Sequence, residues 1–278
     1  DLIWAAGDMQ ARGFLLGGTA GRTTLNGEGL QHQDGHSLLA SGGIPNCVSY
    51  DPTYAYELAV IMQDGIRRMY QEQENVFYYI TLMNENYQHP DMPKGAEQGI
   101  LRGLYLLKKG GRKKQRVQLL GSGTILREVE AAAALLAEDW DVAADVWSAT
   151  SFNELRRDMD DCERWNRLHP GKKARVCHVA KSLQEKNGPV IASTDYVRLY
   201  ADQIRAAVPG KYTVLGTDGY GRSDTREALR SFFEVNRYHV AVAALQALAE
   251  QGSIPVKTVS AAIKKYGIDG SKPNPATI

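Results

Sequence analysis

The 278 residues are 43% hydrophobic and 23% charged, a globular balance with enough apolar material for one large domain or two ordinary ones. A formal charge of +1 excludes a global field aimed at nucleic acid, a membrane surface or a strongly acidic partner. Three scattered cysteines (Cys47, Cys162, Cys177) suit reduced thiols in a cytoplasmic protein, and no apolar run reaches the length of a membrane span.

The opening Asp1-Leu2-Ile3-Trp4-Ala5-Ala6 reads as the interior of a helix with neither a starting methionine nor a cap, as expected of a piece of a longer chain. Ile3, Trp4, Ala6, Met9 and Phe14 predict one helical face over residues 1–16, ending in the glycine run that starts at Gly17. A polar loop follows, Gly27-Glu28-Gly29-Leu30-Gln31-His32-Gln33-Asp34-Gly35-His36. Its glycines allow tight turning and close approach to a ligand. Ile44 to Tyr50 predicts a short strand. Asp51 as N-cap and Pro52 at the first position then open a helix with a buried stripe at Tyr54, Leu58, Ile61, Met62 and Met69. Val76 to Leu82 is a β-branched and aromatic run expected to be a buried strand, which completes a strand–helix–strand unit of the kind that builds parallel sheets.

Asn84 to Pro93 is turn-rich and marks a boundary. Gly95 to Leu107 predicts a short helix running into the basic stretch Lys108 to Arg116, expected to be a solvated hairpin. From residue 117 a second α/β unit begins: a strand over Val117–Leu120, the turn Gly121-Ser122-Gly123-Thr124, an alanine-rich helix from Ile125 to Glu138, and a strand from Val142 to Trp147. The third glycine of a dinucleotide fingerprint would fall on Leu126, so the turn is read as a βα connection closed by Thr124 as cap. Ser151 and Glu154 make a capping box. Pro189–Ser193 and Tyr212–Gly216 predict strands that bracket a helix from Asp195 to Ala207. A second glycine-rich loop, Gly216 to Asp224, leads into a helix near Thr225. The remainder is mostly helical, with Val240, Ala243, Leu245 and Leu248 supplying apolar contacts.

Several chemistries are absent or incomplete. His32 and His36 are four apart, but Gly35 interrupts them, and there is neither an adjacent cysteine pair nor a His-Glu-x-x-His. Gly-x-Ser-x-Gly and the Gly-x-x-x-x-Gly-Lys phosphate loop are missing. Glu28 and His32 remain, four residues apart on a glycine loop. An imidazole there can exchange protons or hold a developing oxyanion, with the carboxylate orienting the ring.

Gly21 to His32, Ile44-Pro45-Asn46, the start of the Tyr54 to Glu57 helix, Leu82 to Tyr87, Leu119 to Thr124, Asp161 to Asn166, Ser193 to Tyr196 and Leu215 to Asp224 carry a resemblance. It is to the transketolase-like thiamine diphosphate enzymes, and among them to the homodimeric bacterial type of pyruvate dehydrogenase component. It runs along essentially the whole chain. The resemblance implies an α/β protein in two parts. Residues 1–92 would be the second half of a pyrimidine-binding middle domain, a parallel sheet with flanking helices. Residues 117–278 would be a transketolase C-terminal-like α/β domain, with 93–116 as linker.

It further implies that His32 is the active-site histidine touching the pyruvate-derived adduct on thiamine, with Glu28 supporting it. Thiamine diphosphate and Mg²⁺ are implied cofactors of the whole enzyme, and their main ligands would lie outside this chain. The implied partners are a second copy, pyruvate, and the dihydrolipoyl acetyltransferase core that receives the acetyl group. The chain alone is expected to be inactive.

Asp218 to Asp224 would contribute to the mouth of the site or to the dimer, or serve as a simple turn and cap. Two other readings stand beside the leading one: a non-catalytic dimerisation and partner-contact module, and a transketolase-type ketol transferase. Gln31 to Asp34 supplies no basic residue for a sugar phosphate, which argues against the latter.

Overall fold

The computed structural model describes residues 2–18, 20–184 and 186–278. Leu2–Asp8 (α1) precedes Phe14–Gly17 (β1), and the helix expected through residue 16 ends early. Gln10 takes φ 57° and Gly13 φ 154°, turning the chain into an extended segment. After Ser37–Gly42 (α2) come Cys47–Tyr50 (β2), Ala55–Ile66 (α3) and Phe77–Thr81 (β3). The three strands are parallel in the order β1-β3-β2, with Leu16 and Tyr50 both opposite Ile80. Phe77, Tyr78 and Ile80 are buried, as the central strand of a parallel sheet requires. β1 is an edge strand, so its pairing with β3 and not its own periodicity makes it a strand.

Asp51 does not cap α3. The helix starts at Ala55, and the Glu57 carboxylate accepts the N–H groups of Thr53 (2.6 Å) and Tyr54 (3.0 Å). From the expected stripe, Tyr54, Ile61 and Met69 are buried, and Met69 lies in a π turn over Arg67–Gln71 that ends the helix.

Glu97–Leu101 (α4) packs on α3 and stops before Gly103, whose φ is 94°. Tyr105–Lys108 (β4) then leaves the first unit. Gln115–Gly121 (β5), Ile125–Trp140 (α5), Val142–Ser148 (β6), Phe152–Leu168 (α6), His178–Leu183 (α7), Val190–Ser193 (β7), Arg198–Asp202 (α8) and Tyr212–Leu215 (β8) follow. The second sheet runs β4-β6-β5-β7-β8, with β4 antiparallel and the rest parallel. Residues 93–116, expected as helix and linker, therefore contain an edge strand of this sheet, and the basic stretch after β4 is not a paired hairpin.

Arg226–Phe232 (α9), Arg237–Glu250 (α10) and Val256–Lys265 (α11) follow, with a last 3-10 turn at Pro275–Thr277. Side chains alternate along β5. Leu119 faces Val129, Leu136, Leu245 and Leu248 of α5 and α10, while Leu120 faces the side covered by Phe152, Leu155, Val179 and Tyr200. No helix among the described residues is long and apolar enough to cross a membrane.

Side-chain caps form at several helix starts, and of the expected capping box only the Ser151 half forms, because the Ser151 N–H goes to the Gly103 carbonyl. Ser151 Oγ accepts the Glu154 N–H at 3.0 Å, and Thr225 Oγ1 accepts that of Ala228 at 3.3 Å. The Glu154 side chain pairs with Arg157 at 2.8 Å. Thr124 stands where α5 begins, but its hydroxyl makes no cap bond and meets that of Thr24 at 2.6 Å. The helix expected over Asp195 to Ala207 is cut to α8 and a 3-10 turn at Arg205–Ala207.

Candidate functional site at the meeting of strand ends

The carboxyl ends of strands from both sheets meet in one polar seam. Asp51 follows β2 and accepts the Thr81 hydroxyl at 2.7 Å, at the end of β3. Its own N–H reaches the Thr150 carbonyl (2.8 Å), and its carbonyl receives the Gly123 N–H (3.1 Å), both beyond strands of the second sheet. Ser122 and Thr194 hydroxyls lie 3.1 Å apart. Asp195, just past β7, accepts the N–H (2.9 Å) and hydroxyl (2.6 Å) of Thr23 and the hydroxyl of Thr24 (2.6 Å). Crevices outside the carboxyl ends of strands are where open α/β sheets take ligands.

Asp51, Glu57 and Asp195 are fully buried. Burial pushes the Asp51 carboxyl up to about 7, against the hydrogen bond from Thr81. Burial also raises Asp195, opposed by the Thr23 and Thr24 hydroxyls and by the charge of Arg230. Glu57 is raised for the same reason, although the hydroxyls of Ser148 (2.6 Å) and Tyr105 (2.7 Å) both donate to it.

The loop over residues 27–36 rides on this seam. Gly27 takes φ 73°, and Leu30–His32 forms a single 3-10 turn. The turn brings Glu28 Oε2 within 3.8 Å of His32 Nδ1, with side chains 49% and 51% exposed. So exposed a pair contributes little to folding stability, which leaves both groups free for another use. His36 is drawn elsewhere. It stands before α2, where Asp34 Oδ1 accepts the N–H groups of His36 (3.0 Å) and Ser37 (2.9 Å). Cys47 is buried and free. Among the described residues no three His, Cys, Asp or Glu side chains converge as metal ligands.

The second glycine-rich loop holds the first. Arg22 donates to the carbonyls of Thr217 and Gly219. Gly35 lies so close to that guanidinium that a Cβ would not fit. The Val197 N–H reaches the Gly35 carbonyl at 2.9 Å, and the Gly27 N–H reaches that of Asp224 at 3.1 Å. The Arg222 N–H donates to Gln33 Oε1 at 2.7 Å. Arg22, Gln33, Asp51 and Asp195 were not singled out from the sequence as site residues. Asp51 and Asp195 did carry one signal: each comes just after a predicted strand.

The 27–36 loop has no lysine or arginine, and Arg22 beneath it is committed to carbonyls, so the loop itself does not fit a diphosphate. What it presents is an imidazole beside a carboxylate.

Residues 1–90 match the family described as pyruvate dehydrogenase E1 component middle domain, and residues 103–236 match the transketolase-like TK C-terminal domain. The chain is 64% identical over 280 residues to the pyruvate dehydrogenase E1 component of Cupriavidus necator. It is 64% identical over 277 residues to that of Pseudomonas aeruginosa.

Over its whole length the chain is similar to part of the pyruvate dehydrogenase E1 component.

The matches take in 100% and 99% of this chain but 31% of each E1 relative, so the chain spans about a third of their length. Among solved structures it resembles the transketolase of Campylobacter jejuni, with a TM-score of 0.61 at 15% identity over 87% of this chain and 33% of that one. That likeness is one of fold. The match to the transketolase-like TK C-terminal domain opens at residue 103, just before β4, in keeping with the pairing of β4 in the second sheet.

Proposed function

We propose that this chain is part of an E1 component that decarboxylates pyruvate and transfers the acetyl group to a lipoyl group. In that reading His32 is a catalytic residue and Glu28 orients it. The observation that carries the reading is the half-exposed Glu28–His32 pair, held at 3.8 Å on a loop that the second domain clamps from below. Thiamine diphosphate would supply the stabilisation of the carbanion left when CO₂ departs. His32 would hydrogen-bond or pass a proton to the oxygen of the reacting group, and the Glu28 carboxylate would favour the ring orientation that does so.

The diphosphate and Mg²⁺ would be held by parts of the E1 component outside this chain, and the chain alone would be inactive. Residues 1–92 would serve as the end of the pyrimidine-binding domain and 117–278 as the C-terminal domain, the connection between them lending β4 to the latter. The whole E1 component would act in the cytoplasm as a homodimer and deliver its product to a dihydrolipoyl acetyltransferase core.

The deciding experiment replaces His32 by Ala in the full-length E1 component and follows pyruvate decarboxylation and reductive acetylation. Loss of both supports the reading, and unchanged rates overturn it.

An assembly role without chemistry is favoured by one observation, the apolar surface of Leu2, Trp4, Met9 and Leu16, each more than half exposed. Sedimentation of the chain decides that reading. A monomer that ignores the acetyltransferase core excludes it.

A further inference from the structure

Gln33 differs from its neighbours on the polar loop. Its N–H closes the 3-10 turn onto the Leu30 carbonyl at 3.2 Å, directly after His32. Glu28, Leu30 and His32 are open to solvent, whereas Gln33 is 6% exposed. Its Oε1 takes the Arg222 N–H from the second domain, and its Nε2 is buried without a partner. A buried N–H left unpaired is costly, so what Gln33 contributes here is the acceptor it offers to the Arg222 N–H. Gly221 lies against the same turn. A Cβ at Gly221 would stand 2.8 Å from Gln33 Cβ and 3.1 Å from the Leu30 carbonyl oxygen.

The second domain thus touches the turn at Leu30 and at Gln33, on either side of His32. The His32 ring pairs with the equally exposed Glu28 at 3.8 Å. The backbone of the turn fixes where its Cα–Cβ bond points, and so the region the imidazole can reach.

We propose that Gln33 is a positioning residue: by accepting the Arg222 N–H across the domain seam it sets the His32 turn, so that the second domain controls the aim of the imidazole. The proposal rests on the role given to His32 above. Misplacing a reacting group by about 1 Å can cost on the order of a hundredfold in rate. Loss of one anchor among several is expected to cost about tenfold.

The test uses the full-length E1 component, loaded with its cofactors, in four variants. Gln33→Leu removes the acceptor at similar size, and Gln33→Glu keeps an oxygen for the Arg222 N–H. Gly221→Ala pushes on the turn from the other domain, and His32→Ala is the reference. Gln33→Leu and Gly221→Ala should each lower kcat about tenfold with KM for pyruvate changed less than about twofold, while Gln33→Glu stays within about threefold of the parent. Destabilisation without a positioning role would lower the unfolding midpoint and leave kcat per folded molecule intact.

If Gln33→Leu does not fold, Gly221→Ala against Gln33→Glu still decides. The proposal is overturned if the folded Leu or Ala variant keeps its kcat, or if Glu is as impaired as Leu. If His32→Ala itself retains full turnover, the catalytic reading fails first. If His32→Ala is inactive while Gln33→Leu is not, only the positioning role falls.

Discussion

Asp195 and Thr23 are 172 residues apart in sequence, yet the threonine hydroxyl donates to the aspartate at 2.6 Å in the buried seam. The Thr23 N–H and the Thr24 hydroxyl reach the same carboxylate. Replacing Asp195 by Ala leaves the Thr23 N–H and hydroxyl unpaired, while the Thr24 hydroxyl can turn to Thr124. At about 1 kcal/mol or more for each, the loss should be about 2 kcal/mol. Chemical denaturation checks this, and a loss below about 1 kcal/mol would show that the seam relaxes around the gap.

The seam should weaken as pH rises. Asp51 titrates at about 7 in the folded chain, above the ordinary carboxylate range. Between those values the folded state holds a proton that the unfolded state has released, so stability falls with increasing pH across that window and then levels off. Asp51→Asn removes this contribution. Its unfolding midpoint should depend less on pH between about 4 and 7 than that of the parent. Midpoints that stay parallel over that range would refute the assignment.

In the full-length E1 component, His32→Ala should lower turnover by about a hundredfold or more, the usual scale for a lost proton-transfer group. Glu28→Gln should cost less, about tenfold or under, because a half-exposed carboxylate 3.8 Å away only assists the ring. Steady-state rates at saturating pyruvate order the two, and a Glu28→Gln defect larger than that of His32→Ala would reverse the roles.

Gly35→Ala tests the clamp under the loop. The backbone at Gly35 is not among the left-handed glycine positions, so Ala is conformationally allowed, and the effect comes from collision with the Arg22 guanidinium. A methyl group forced into such a contact costs about 1–3 kcal/mol. The variant should unfold earlier and be cut faster by protease within residues 27–36. An unchanged proteolysis rate would mean that Arg22 moves aside at no cost.

The parts legible in the chain itself are those whose partners lie nearby. Ser151 and Thr225 cap helices through N–H groups three residues on, and the apolar runs around Val76 to Leu82 and Val117 to Leu120 bury themselves as strands whatever their neighbours. The Glu28–His32 pair was readable for the same reason, because one turn of backbone brings i and i+4 together.

Tertiary structure decided the rest. Phe14–Gly17 and Tyr105–Lys108 are strands because β3 and β6 offer free backbone edges to them, and nothing in their own periodicity says so. Thr124 gave up its cap for Thr24, and Glu57 displaced Asp51 at the start of α3. Asp51 instead became a buried acid between two sheets. The imidazole and its carboxylate were set by ten residues of sequence. The clamp beneath them comes from Arg22, Thr217, Gly219 and Arg222, which only the meeting of strand ends brings together, because a hydrogen bond depends on distance in space and not on separation along the chain.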